Sequence, residues 1–117
     1  MSYIDGFVCA VSSDKREAYR AYAEKAAAFF KENGATQIME CWGDEVPGGK
    51  LTSFPMAVKL QDGETVVFSW IVWPSKAARE AAHGKMMTDP RFDPSANAWP
   101  FDGKRMIYGG FVPILET

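Results

Sequence analysis

ETVVFSWIVWPSKAAREAAHGKMMTDPRFDPSANAWPFDGKRMIYGGF, from Glu64 to Phe111, is the stretch whose reading decides the fold. Thr65 to Trp73 is β-branched or aromatic almost throughout and stops at Pro74, as a central strand does. Ser75 is a natural cap for a helix from Lys76 to about Met87, on which Ala78, Ala81, Ala82 and Met86 make a small-residue stripe that can sit close to a sheet. Thr88 to Gly103 reads as a long connection holding three of the seven prolines, and Lys104 to Pro113 as a last strand.

Upstream, Tyr3 to Val11 is apolar on both sides of its alternation and reads as a strand in mid-sheet. A helix follows, with Asp14 as cap and Glu17 reaching back to the free amide. Its expected apolar stripe is Ala18, Tyr22, Ala26, Phe29 and Phe30, and Asn33-Gly34 ends it. Ala35 to Asp44 is a second strand, alternating Ile38, Glu40, Trp42 and Asp44 with Gln37, Met39 and Cys41. After the turn Pro47-Gly48-Gly49, residues 53–60 fit a short helix capped by Thr52 or Ser53, because Phe54, Ala57 and Val58 fall on one side at helical spacing. A strand Met56 to Leu60, hairpinned by Asp62-Gly63, is the rival.

The order is β-α-β-(short helix)-β-α-β, which specifies an α+β, ferredoxin-like fold: a four-stranded antiparallel sheet with helices on one face. The other face carries aromatics, so the economical solution is a homodimer with two sheets stacked face to face, a dimeric α/β barrel.

Composition agrees. With 117 residues, 47 % of them hydrophobic, the chain suits a single domain spanning 1–117 with one core, and 14 % aromatics exceed what so small a core needs. A formal charge of -2 and pI near 5.4 offer no pull toward nucleic acid or anionic lipid. The N-terminus lacks a basic signal-like region, and the longest apolar stretch, Val66 to Trp73, is far too short for a membrane span, so a cytoplasmic protein is expected. Cys9 and Cys41 lie in separate strands without a CxxC or a nearby Cys/His partner, and read as free thiols; no metal and no cofactor are expected.

Four stretches, ECWGDEVPGG (Glu40 to Gly49), ETVVFSWIVWPSKAAREAA (Glu64 to Ala82), DPRF (Asp89 to Phe92) and PFDGKRMIYGGF (Pro100 to Phe111), resemble the YbaA-like family of uncharacterised bacterial proteins, domain of unknown function 1428. The resemblance spans essentially the whole chain and implies the dimeric α/β-barrel superfamily; it implies no activity. Family members usually carry methionine after the arginine of DPRF, where this chain has Phe92.

Several constellations remain to be weighed. Asp89, Arg91, Asp102, Lys104 and Arg105 cluster on the last connection, either as a rim for an anionic ligand or as ion pairs that staple a long loop; stapling is the commoner arrangement. Glu64 is expected to pair with a loop arginine. Glu40 and Asp44 share a strand face about 13 Å apart, too far for a shared proton, and read as rim charges. His83, the only histidine, falls off the alanine stripe and is expected at the surface or an interface. Trp70 and Phe68 share a strand face with Val66 and Val72, lining an aromatic pocket between sheet and helices or filling a dimer interface. Gly109 and Gly110 imply a close approach of a neighbouring backbone, or a bulge, pointing first to a subunit interface.

The reading this supports is a homodimeric small-ligand-binding protein or cofactor-independent enzyme. Its ligand, a small and even anionic organic molecule, would meet Trp70, Phe68, Met86, Arg91, Arg105 and Tyr108, beside the rim pairs of Asp89, Asp102 and Glu64. No nucleophile-base arrangement is legible, so a non-catalytic dimerisation module stays open. Haem-linked oxidation through His83 is the more distant alternative.

Overall fold

A computed structural model describes all 117 residues. Four strands, β1 (Tyr3–Ser12), β2 (Gln37–Trp42), β3 (Glu64–Trp73) and β4 (Ile107–Phe111), form one sheet in the order β2-β3-β1-β4, every neighbouring pair antiparallel. Helix α1 (Arg16–Glu32) connects β1 to β2, and α3 (Lys76–Met86) leads from β3 toward β4; this is the ferredoxin-like arrangement. The short α2 (Phe54–Ala57) settles the ambiguous region as helix. Ser53 accepts the Met56 amide at 3.0 Å and Pro55 sits in the first turn, so this helix starts as expected but ends earlier, where Lys59 takes φ +50°.

The alternation of the strands sorts the molecule into two sides. Cys9 and Val11 of β1 and Val67 of β3 pack against Tyr19 and Ala23 of α1, while Ile71 and Trp73 pack against Ala35 and Ala82. Val8, Ala10 and Val66 point the other way, onto Val58 and Leu60 just beyond α2. That segment therefore covers one end of the face opposite the main helices.

Three local expectations need correction. Helix α1 has no side-chain cap from Asp14: a 3-10 turn, Ser13–Lys15, runs into it, and the first α-helical residue is Arg16. Its buried stripe is Tyr19, Ala23 and Phe29, about one position round from the predicted one, with Ala18 exposed. The shift brings the Tyr19 hydroxyl to Glu40, which a purely apolar stripe could not anticipate. Helix α3 is capped by Ser75 as expected, yet only Ala82 of its alanines is buried, because Arg79 and His83 turn inward beside it.

The third correction concerns Gly110. A Cβ there would lie 2.5 Å from the Tyr3 hydroxyl and 2.8 Å from Tyr3 Cε2. Its own chain's Tyr3 explains the glycine, without a second subunit. On the opposite face the Phe111 ring lies over the paired Gly6 and Gly109, at 3.4 Å from where each Cβ would be.

Candidate functional site

The six expected ligand-binding residues do not converge. Phe68 and Trp70 are neighbours, ring centroids 5.7 Å apart, but they point away from α1 and α3. The expected pocket between sheet and helices therefore cannot be theirs. They line an open apolar trough of about 500 Å³ with Ile4, Gly6, Val72 and Phe111. Tyr108 pairs with Phe7 on the opposite, helix-facing side of edge strand β4 and is mostly exposed. Met86 is half-buried at the end of α3.

Arg91 and Arg105 belong to two separate staples. The Arg91 guanidinium donates to Asp89 at 2.8 and 3.0 Å and to both oxygens of Glu32 at 3.0 and 3.1 Å, and it lies 5.3 Å from the Phe29 ring centroid. These bonds hold the Asp89 carboxyl down at about 2. Beside them Phe92 packs edge-on against Phe29, centroids 5.1 Å apart. Arg105 donates to Glu64 at 2.7 and 2.8 Å, to Asp102 at 3.0 Å and to the Lys59 carbonyl at 3.0 Å. One side chain thus ties the last connection to the start of β3 and to the end of the α2 segment. The connection is further pinned where Phe101 packs edge-on to Tyr19 and Tyr22 and stacks on Trp99.

Two polar constellations on the helix side were missed. In the first, Asp5 of β1 is 2 % exposed and accepts from Trp73 Nε1 at 2.9 Å and Arg79 Nε at 3.0 Å, with His83 Nε2 at 3.1 Å. A carboxylate removed from water needs such partners. His83 reaches Asp5 with its ring edge-on to Trp73 while its side chain stays 36 % exposed, so it bridges the surface and the buried carboxylate. With Nε2 engaged by Asp5, Nδ1 is the His83 nitrogen that would remain to hold a haem.

In the second, the Tyr19 hydroxyl donates to Glu40 Oε1 at 2.7 Å, with Ser69 bonding to the pair and the buried Cys9 thiol beside Tyr19. Burial is the largest influence on all three titratable groups. It pushes the Glu40 carboxyl up despite the bonds from Tyr19 and Ser69, pushes the Tyr19 phenol up together with the Glu40 charge, and raises the Cys9 thiol to about 11. Glu40 is nevertheless exposed to solvent, where it forms part of the wall of a cleft. It is not the free rim charge its strand position suggested. The signal available in sequence was parity: Glu40 alternates with open-face residues, which places it on the helix-facing side within reach of α1. Cys9 and Cys41 are both free, the first buried and the second partly so.

Set beside known proteins, residues 2–103 match the family described as "Protein of unknown function (DUF1428)". The chain belongs to that family. It is 59 % identical over 116 residues to "Uncharacterized protein YbaA" of Escherichia coli strain K12, covering 99 % of each chain, and equally to the Shigella flexneri protein of the same name. Solved structures similar in fold include a dimeric ferredoxin-like protein from an uncultured marine organism, at TM-score 0.61 and 11 % identity with 100 % of each chain covered. The Streptomyces nogalater protein SnoaB, a cofactor-independent oxygenase, matches in a mutant form at TM-score 0.56 and 16 % identity over 98 % of this chain and 93 % of its own. Rv0793 of Mycobacterium tuberculosis gives 0.57 and 15 % over 99 % and 98 %. At these identities the likeness concerns the fold. No helix of this DUF1428 member is long and apolar enough to cross a membrane.

Proposed function

We propose that this DUF1428 protein is a homodimer, stacked through the open faces of two sheets, that works as a small-ligand-binding protein or cofactor-independent enzyme. One observation carries the reading. The face that α2 leaves uncovered is apolar and exposed: Phe68 is 42 % exposed, Ile107 45 % and Phe111 59 %, around a trough lined mainly by hydrophobic side chains. Water contact with a contiguous patch of this kind is unfavourable, and a second copy presents a matching surface across a twofold axis.

The dimeric description of one fold neighbour and the cofactor-independent oxygenase description of another are in keeping with this, as is a helix side with polar groups set into its apolar packing. Stacking would leave that helix side free for a ligand. Sedimentation velocity at micromolar concentration should give a dimer, and Trp70→Glu, which sets a charge in the trough, should give a folded monomer. A stable wild-type monomer would sink the dimer. A thermal-shift screen of small carboxylates and quinones addresses the ligand, and stabilisation by none would count against that half.

A further inference from the structure

Between α1 and edge strand β2, on the helix side of the sheet, a cleft of about 170 Å³ is walled by Arg16, Tyr19 and Arg20 on one side and Glu40 and Trp42 on the other, with Val67 beneath. The two arginines differ in an informative way. Arg20 is spent on its own helix, donating to Glu17 at 3.1 Å and Glu24 at 3.0 Å. Arg16 has no carboxylate partner and lies 5.8 Å over the Trp42 ring. The cleft therefore contains an unpaired guanidinium resting on an aromatic platform, facing a Tyr–Glu hydrogen-bonded pair.

We propose that this cleft binds a small carboxylate that carries a second oxygen, its carboxylate on Arg16 above Trp42 and its carbonyl or hydroxyl oxygen on the Glu40–Tyr19 pair. A guanidinium offers a forked set of donors to a carboxylate, and the nearby indole face attracts the cation. The volume sets the size: at roughly 30 Å³ for each water-sized group, about five or six non-hydrogen atoms fit, which describes three-carbon keto and hydroxy acids.

Charge balance within the cleft follows from the same geometry. The groups facing Glu40 are Tyr19 and, more distantly, Tyr22 from α1, Cys9 from β1 and Ser69 from β3, with the Arg16 and Arg20 cations at the mouth. Burial raises both phenols, and the thiol to about 11, so these stay neutral near pH 7. Glu40 is then the group whose protonation changes the site. As an acid it donates to the ligand's second oxygen, and as a carboxylate it repels the ligand's charge.

The inference rests on the small-ligand half of the reading above and not on the dimer, since the cleft lies on the opposite side of the sheet from the trough. The test is a titration with pyruvate, followed by two-dimensional NMR of the full chain, with methyl pyruvate as the neutral control. Saturable shifts should centre on Trp42 and Tyr19, weaken at least tenfold in Arg16→Met, and be much weaker for methyl pyruvate. Wild-type affinity should fall as pH rises through the Glu40 titration, while Glu40→Gln, a permanent donor of similar shape, should bind with a flat pH profile. Absence of saturable binding by pyruvate or lactate would overturn the cleft assignment, as would an unchanged affinity in Arg16→Met. Sedimentation of the same samples reports separately on the dimer.

Discussion

Replacing Asp5 tests the central polar contact of the fold. Its side chain is 3 % exposed, and it is the acceptor for both the fully buried indole of Trp73 and the Arg79 guanidinium, which is 19 % exposed. In Asp5→Leu the indole N–H loses its partner inside the core, at about 1–3 kcal/mol. The arginine becomes an unpaired, largely buried cation, a defect worth about 3–5 kcal/mol when burial is complete and less here because Arg79 reaches some water. Together these give a loss of about 4 kcal/mol. An unfolding entropy of about 2.1 cal/mol/K per residue, over 117 residues, turns each kcal/mol into roughly 4 °C, so Tm should fall by about 16 °C. Asp5→Asn keeps an acceptor for Trp73 but loses the charge opposite Arg79, and should lose about half as much. The double variant Asp5→Leu/Arg79→Met should recover part of the loss, since it removes the orphaned cation. Thermal unfolding followed by circular dichroism at one fixed protein concentration measures all three. If both single variants stay within about 1 kcal/mol of wild type, Asp5 is not desolvated and the account of this contact is wrong.

Other perturbations have equally definite signs. Asp89 is depressed from 3.8 to about 2 by Arg91, so its contribution is complete above its unfolded value and disappears as pH falls through the folded one. Arg91→Met should therefore shift the onset of acid unfolding upward and flatten the pH dependence of stability between those two values; an identical acid limb would count against the staple. Gly110→Ala forces a methyl group into the Tyr3 ring and should cost about 1–3 kcal/mol, with Tyr3→Ala in the same chain cancelling most of that added cost; denaturant melts that add independently would contradict the contact. Cys9, buried and raised to about 11, should resist Ellman's reagent at pH 8 until the chain is unfolded, while the partly exposed Cys41 reacts natively. Two thiols reacting at equal rates in the folded protein would refute that difference.

The strand order and both long helices were legible because their signals are local. Pro74 and Ser75 punctuate the end of β3 and the start of α3, and Gly34 follows α1 with φ +103°. The staples on Arg91 and Arg105 were legible as alternatives to a binding rim, since each arginine has an aspartate two or three residues away in sequence. Their longer-range partners, Glu32 of α1 and, for Arg105, Lys59, depend on how the last connection lies across the molecule. Neither the rotation of α1 nor the face taken by Phe68 and Trp70 could be set by periodicity alone. Both strand faces are apolar, so alternation identifies two sides without saying which one the helices choose.

Polarity inside the strands resolves that choice. Asp5 and Cys9 of β1, Ser69 of β3 and Glu40 of β2 share one parity, and the register puts them on a single side of the sheet, opposite Val8, Phe68 and Trp70. An aspartate flanked by apolar residues in a central strand must find donors when it is buried, and the sheet's own ladder cannot supply them. Arg79 and His83, four apart on α3, are a cation and a ring nitrogen on one helix face, and they meet that need. On the same side the Tyr19 hydroxyl donates to the exposed Glu40, and Tyr19 rather than Ala18 turns inward on α1. Had the polar residues been equally divided between parities, the helices would have had no reason to prefer either side. The buried ones, Asp5 and Ser69, lie on the helix side, while Phe68, Trp70 and Phe111 lie on the other.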